Sequence, residues 1–436
     1  MGKTLTSACS TPSRSADSAP DLFSDNNSAF TDKELTLYAA ALLNSSQAKP
    51  GGHLVIECET ETHLEMAREM AALARAESVA VEILKPVDQL SDVEIEALPL
   101  EIDRYIDNDA EIISLLSAPP EFLGYEQSST PHPDAYYKDL ATRAKAYRAA
   151  WSEKWSAIDS NDKASQNMAP CPSPTWARRI FPNESASKAY RRLSVILAKA
   201  VRADKSLAEQ AEIREQVLTR RANLATMGLS DVAITGPGTN LSMGLPEENN
   251  AFHTLVLSSE HSAVAADERV IVTPEADTIN GDFTLTRPLY LNGGGGITLI
   301  DSVSGEIKNG AVTKLVSNSV DKSTRKREQA ILDHYSSIDG SPVRVTTVSL
   351  VDQSGPLAES GVAFNNHVLD ANSGLSLQTN SSLNLVIGSH AVEVKGQADD
   401  GTHSIMKNGL FAKDVENPTL VAALDTAEKK DNCHYL

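Results

Sequence analysis

Two rhythms of apolar and polar residues meet near residue 229, and they predict different structure on either side. In the first half, apolar residues recur three and four positions apart. Leu35, Tyr38, Ala39 and Leu42 fall on one helical face. Ahead of them, Thr31-Asp32-Lys33-Glu34 reads as a capping box, in which the hydroxyl and the carboxylate each accept a backbone N–H of the other residue. A helix is therefore predicted from there to about Asn44. After the Pro50-Gly51-Gly52 turn, 53–57 predicts a strand, 64–76 a helix and 79–84 a second strand. Strand, helix and strand at this spacing form a right-handed crossover and so a parallel sheet. Further helices are predicted over 101–116, 135–158, 186–203 and 206–224.

Beyond Ser230 the period shortens to two. Alternating segments at 232–235, 254–257, 269–272, 283–291, 297–301 and 343–351 are separated by Gly, Asn and Pro and predict strands. The run Ser304 to Gly310 is a hairpin signal, and one helix is predicted over 321–335. The four glycines Gly293 to Gly296 invite a phosphate-loop reading. Such a loop opens a helix and carries a lysine, whereas a strand pattern follows here, so a hairpin turn is predicted. The organisation is an α/β domain with a helical connection over 31–229 and a β-rich α+β domain over 230–415. They are flanked by a disordered 1–30 segment and a helix and tail over 416–436 that ends Cys433-His434-Tyr435-Leu436.

A chain of 436 residues with 41% hydrophobic content can bury two cores. Its net charge of −20 would repel nucleic acid and anionic membrane surfaces, which excludes both as partners. No apolar run reaches the roughly 20 residues needed to span a bilayer. Cys9, Cys58, Cys171 and Cys433 are scattered without a paired motif, which fits a reducing cytoplasm. Met1-Gly2-Lys3-Thr4-Leu5-Thr6 matches a myristoylation pattern that would matter only in a eukaryotic host, and it raises the reading of a host-delivered bacterial effector.

The most specific stretch is Gly236-Pro237-Gly238-Thr239-Asn240-Leu241-Ser242-Met243-Gly244-Leu245-Pro246. It resembles the signature of the M29 family of metal-dependent aminopeptidases, the aminopeptidase T and aminopeptidase S group. Weaker similarities follow the same order: Pro172 to Ala177 with Phe181-Pro182, then Glu268, Val270 and Pro274 with Thr286-Arg287-Pro288-Leu289. Pro356 to Gly361 with Phe364, Asn365, Asp370 and Asn372 comes next, then Ile387-Gly388-Ser389 and Asn408 to Phe411. The resemblance implies the family's two-domain architecture, a homodimer and a peptide substrate. It also implies a two-metal site made by two glutamates, two histidines, a tyrosine and an aspartate.

This chain departs from that ligand set. The first glutamate corresponds to Glu268, with Arg269 replacing the family's neighbouring glutamate. The other positions fall on Thr347, Ser376, Ser382 and Asn384, and the tyrosine has no counterpart. Hydroxyls and amides are neutral and weak ligands for divalent cations, and Arg269 would repel them. The reading is a protein with this fold that binds a peptide or amino-acid-derived ligand through Glu268, Thr347, Ser376, Ser382 and Asn384, with no catalytic residue, no metal ligand and no cofactor. The alternative is an active aminopeptidase with rearranged ligands and two divalent metals such as Zn or Co. Glu260-His261 followed by Asp267-Glu268 is then the densest donor cluster.

Overall fold

A computed structural model describes residues 30–46, 48–58, 60–117, 165–246, 251–254, 262–264, 268–293, 296–338, 341–364, 367–380, 383–388 and 391–416. It also describes positions 143, 146, 147, 149–151 and 154, all helical. The predictions for 1–29, for 255–257 and for 417–436 lie outside these residues, as does most of 135–158.

The first half is built on a five-stranded parallel sheet in the order Ala80–Ile83, His53–Cys58, Glu111–Leu116, Ser165–Pro170, Ser262–Val264. Successive residues of its central strands feed opposite faces. Leu54 and Ile56 join a core with the helices Asp32–Asn44, Leu64–Ala76, Pro174–Ile180 and Ala186–Ala200. Val55 and Ile112 pack under the helix Asp92–Asp107 with Tyr147 and Trp151. The capping box forms as predicted, with the Thr31 N–H donating to Glu34 Oε2 at 2.8 Å. The same carboxylate accepts two N–H groups from Arg191 at 2.6 and 2.8 Å, tying the first helix to Ala186–Ala200 inside the core.

The second half is antiparallel. Eight strands run in the order Ala311–Ser317, Val303–Lys308, Asn280–Thr284, Thr239–Gly244, Asp231–Gly236, Glu393–Ala398, Gly401–Lys407, Leu410–Phe411. A five-stranded sheet runs Asn384–Gly388, Leu375–Thr379, Val345–Leu350, Val270–Val272, Phe252–His253. Val232, Ile234, Leu241 and Phe283 of the first sheet share one core with Val270, Val348, Leu377 and Leu385 of the second. The halves interlock. The strand Ser262–Val264 completes the parallel sheet, Leu357 and Phe364 enter the first core, and Trp176 Nε1 donates to the Phe364 carbonyl at 2.9 Å. The architecture is an α/β domain joined to a β-rich domain, as predicted.

Two local predictions are corrected, and one strand is added. The segment 101–116 is not one helix: Asp92–Asp107 is helical from its Ser91 cap, and Glu111–Leu116 is a central strand. An apolar run buried on both faces has no alternation to set it apart from a buried helix. The segment 283–291 is two strands, Asn280–Thr284 and Leu289–Gly293, because Pro288 cannot donate to a ladder. The strand Ser165–Pro170 went unpredicted because its inward residues are polar. Gln166 donates to Ser114 Oγ and Asn167 to the Ser45 carbonyl, each at 2.8 Å. The glycine-run prediction matches a hairpin in which Gly293 pairs with Gly296.

Candidate functional site

The Gly236–Pro246 signature is a scaffold element. Asp231–Gly236 and Thr239–Gly244 pair as a hairpin closed by Pro237-Gly238, and Gly238 has φ +68°. A proline followed by a glycine with positive φ is the pattern of a type II turn. A Cβ on Gly238 would stand 2.4 Å from Thr284 Oγ1, which itself donates to the Gly238 carbonyl at 3.0 Å.

The positions singled out as replaced ligands converge on the five-stranded sheet. Thr347 lies opposite Gln378, and Ser349 opposite Ser376. Gln378 in turn lies opposite Asn384, and Ser376 opposite Val386. Paired residues share a face, and residues two apart on a strand share it too. One face therefore carries Thr347, Ser349, Ser376, Gln378 and Asn384 across three strands, while Val348, Leu350, Leu377 and Leu385 fill the core on the other. Ser349 is also opposite Ile271, so alternation carried back two residues places Arg269 on the polar face. Arg269 is 2% exposed. The helix His367–Ala371 packs against the strands Leu375–Thr379 and Asn384–Gly388, and its Leu369 joins the first core.

Glu268 is one residue out of phase and is not part of this array. Its Oε1 accepts from Arg202 Nε at 2.8 Å and Nη2 at 2.5 Å, and its backbone N–H donates to Asn372 Oδ1 at 3.1 Å. The space beside it, lined by Ala200, Gly355, Pro356, Leu357 and Asn372, has no room for a water-sized molecule. The structure thus brings Thr347, Ser376 and Asn384 together and sets Glu268 apart; Ser382 lies outside the described residues. Sequence reading did not single out Ser349 or Gln378, although a two-residue step from Thr347 and from Ser376 reaches them.

The chemistry of the face is specific. Thr347 Oγ1 donates to Gln378 Oε1 at 2.8 Å. Among the described residues, the hydroxyls of Ser349 and Ser376, on residues 0% exposed, have no hydrogen-bond partner, and neither do Nδ2 and Oδ1 of Asn384. These are neutral donors beside a guanidinium. They do not fit a pair of divalent cations, which need anionic oxygens and imidazoles. Among the described residues no three His, Cys, Asp or Glu side chains converge as a metal cluster. His253 is exposed, and His403 Nε2 is 2.7 Å from Asp400 Oδ1 at the surface. Glu260, His261, Asp267 and His390 lie outside the described residues. Among the described residues, no helix is long and apolar enough to cross a membrane.

Comparison with known proteins agrees with this architecture. The family model described as thermophilic metalloprotease (M29) matches residues 31–381. Aminopeptidase PepS of Streptococcus thermophilus is 24% identical over 88% of this chain and 90% of its own length. Aminopeptidase T of Thermus thermophilus is 24% identical over 56% of this chain and 64% of its own length. The solved structure of wild-type AmpT from Thermus thermophilus superposes with a TM-score of 0.65 at 17% identity, covering 88% of this chain and all of that one. The expectation of no cofactor is corrected by these matches, since a metalloprotease family points to divalent metal. With both halves matched in order, the chain belongs to the M29 family of thermophilic metalloproteases.

Proposed function

We propose that this chain is a metal-dependent aminopeptidase, acting on peptides in the cytoplasm as a homodimer, with metal ligands rearranged from the family's usual positions. One observation carries the reading: Aminopeptidase PepS aligns along 90% of its own length, so both halves are shared rather than a single module. The sheet face at Thr347, Ser376 and Asn384 does not fit the metals, so no step is assigned to them there. In sequence, the densest cluster of other donors is Glu260, His261 and Asp267, close to Glu268. Elemental analysis of purified protein, with hydrolysis of an aminoacyl chromogenic substrate before and after chelation, tests the reading. Stoichiometric metal with chelator-sensitive hydrolysis is the expected result; metal-free protein without hydrolysis would overturn it.

A second reading has its own support in the hydroxyl and amide side chains at the three converging positions. In it the cleft binds a peptide or amino-acid derivative without cleaving it. The same experiment separates the two, because saturable binding of a peptide that is never hydrolysed favours the second.

A further inference from the structure

We propose that the polar face of the five-stranded sheet is a carboxylate-binding subsite. In it the hydroxyls of Ser349 and Ser376 and the amide of Asn384 donate to the carboxylate of an amino acid or short peptide. The subsite goes beyond the aminopeptidase reading and does not require that hydrolysis occurs.

The unpartnered atoms carry the inference. A buried polar atom left without a partner is destabilising, and native folds keep few of them. Four such atoms stand together here: Ser349 Oγ, Ser376 Oγ and both terminal atoms of Asn384. They come from three adjacent strands, not from one irregular loop. Ser349 and Ser376 are a direct cross-strand pair, which sets their Cβ atoms about 5 Å apart, and Asn384 is the diagonal neighbour of Ser376. Two hydroxyls side by side can each meet one oxygen of a planar two-oxygen group, and the amide N–H can meet an oxygen from the next strand.

Charge selects the ligand. The described side chains of this face are Thr347, Ser349, Ser376, Gln378, Asn384, Ile271 and Val386, with Arg269 at its end, and none is acidic. The acid of the packed helix, Asp370, is buried and accepts the Phe364 backbone N–H. Arg269 has partners of its own, so the available donors of this face are neutral, and buried neutral donors suit a singly charged anion better than a doubly charged phosphate. Thr347, Gln378 and Asn384 are partly exposed while Ser349 and Ser376 are not, so the array opens at the Thr347–Asn384 end.

Calorimetric titration of the full-length protein tests this with three probes: N-acetyl-L-alanine, L-alaninamide and inorganic phosphate. The acetylated acid should bind saturably. It should weaken about tenfold or more in Ser349→Ala and in Ser376→Ala, while the amide and phosphate should not compete. Removing an unpartnered hydroxyl should leave thermal stability of the unliganded variants unchanged or raised, which separates lost binding from lost fold. Undiminished binding in the double variant, phosphate binding as tight as the acid, or no saturable binding at all would overturn the proposal. Chromogenic hydrolysis assayed on the same proteins keeps the two ideas apart. Intact hydrolysis without carboxylate binding sinks only the subsite, and the reverse outcome sinks only the aminopeptidase reading.

Discussion

Arg202 grips Glu268 through two nitrogens, Nε at 2.8 Å and Nη2 at 2.5 Å from one carboxylate oxygen, and it does so from a left-handed backbone with φ +60°. The arginine sits in the turn after the helix Ala186–Ala200, and the glutamate leads into the strand Val270–Val272, so the pair staples the two halves. A non-glycine residue at positive φ costs roughly 1–3 kcal/mol unless its surroundings hold it there. Here the ion pair supplies that hold, aided by Gln210 Nε2, which donates to the Arg202 carbonyl at 2.9 Å.

The first prediction separates strain from pairing at this position. Arg202→Ala loses the pair and keeps the strain, and should lower stability by about 2 kcal/mol. Arg202→Gly loses the pair but relieves the strain, and should recover about 1 kcal/mol of that. Urea unfolding midpoints of the two variants check the ordering. Equal midpoints would show that the backbone at Arg202 is unstrained.

Gly238 provides the second. Replacing it with alanine forces a Cβ into Thr284 and a side chain into a positive φ, so Gly238→Ala should cost about 2 kcal/mol or more. Removing the obstructing hydroxyl and methyl in Gly238→Ala/Thr284→Ala should cost less than the two single changes added together. Thermal melts of the four proteins in that cycle give the coupling.

The third concerns pH. Glu57 is partly exposed as a residue, yet its carboxyl is enclosed by Ser114 and Tyr147, with Tyr147 Oη donating to Oε1 at 2.8 Å. Burial raises its pKa, only partly offset by these two hydrogen bonds. Because the folded value lies above the unfolded one, the contribution of Glu57 is fully present below the unfolded carboxylate range. It is lost as pH rises toward the folded pKa. Glu57→Gln should therefore flatten the decline in melting temperature on the alkaline side of that range. An unchanged pH profile in the variant would contradict the assignment.

Much of the fold was legible from local pattern. The Thr31 capping box, the helix Leu64–Ala76 and the hairpin after Ser304 all arise from contacts within a few residues, which is the range over which periodicity and turn chemistry act. Glu111–Leu116 was misread as helix because a strand buried on both faces carries no alternating signal. Ser165–Pro170 was missed because its polar residues Gln166 and Asn167 donate to Ser114 and Ser45, which lie far away in the chain.

The candidate site divides in the same way. Sequence by itself gave family likeness and the two-part architecture, and it singled out Thr347, Ser376, Ser382 and Asn384 as the hydroxyl and amide positions to inspect. Each of these is a statement about which side chain occupies which place in a motif. Only the tertiary structure decided that Arg269, and not Glu268, shares a face with those residues, and that Ser349 joins them. That outcome depends on the register between strands as distant in the chain as Val270 and its partner Leu350, and a one-residue change of phase sends a side chain to the opposite side of a sheet.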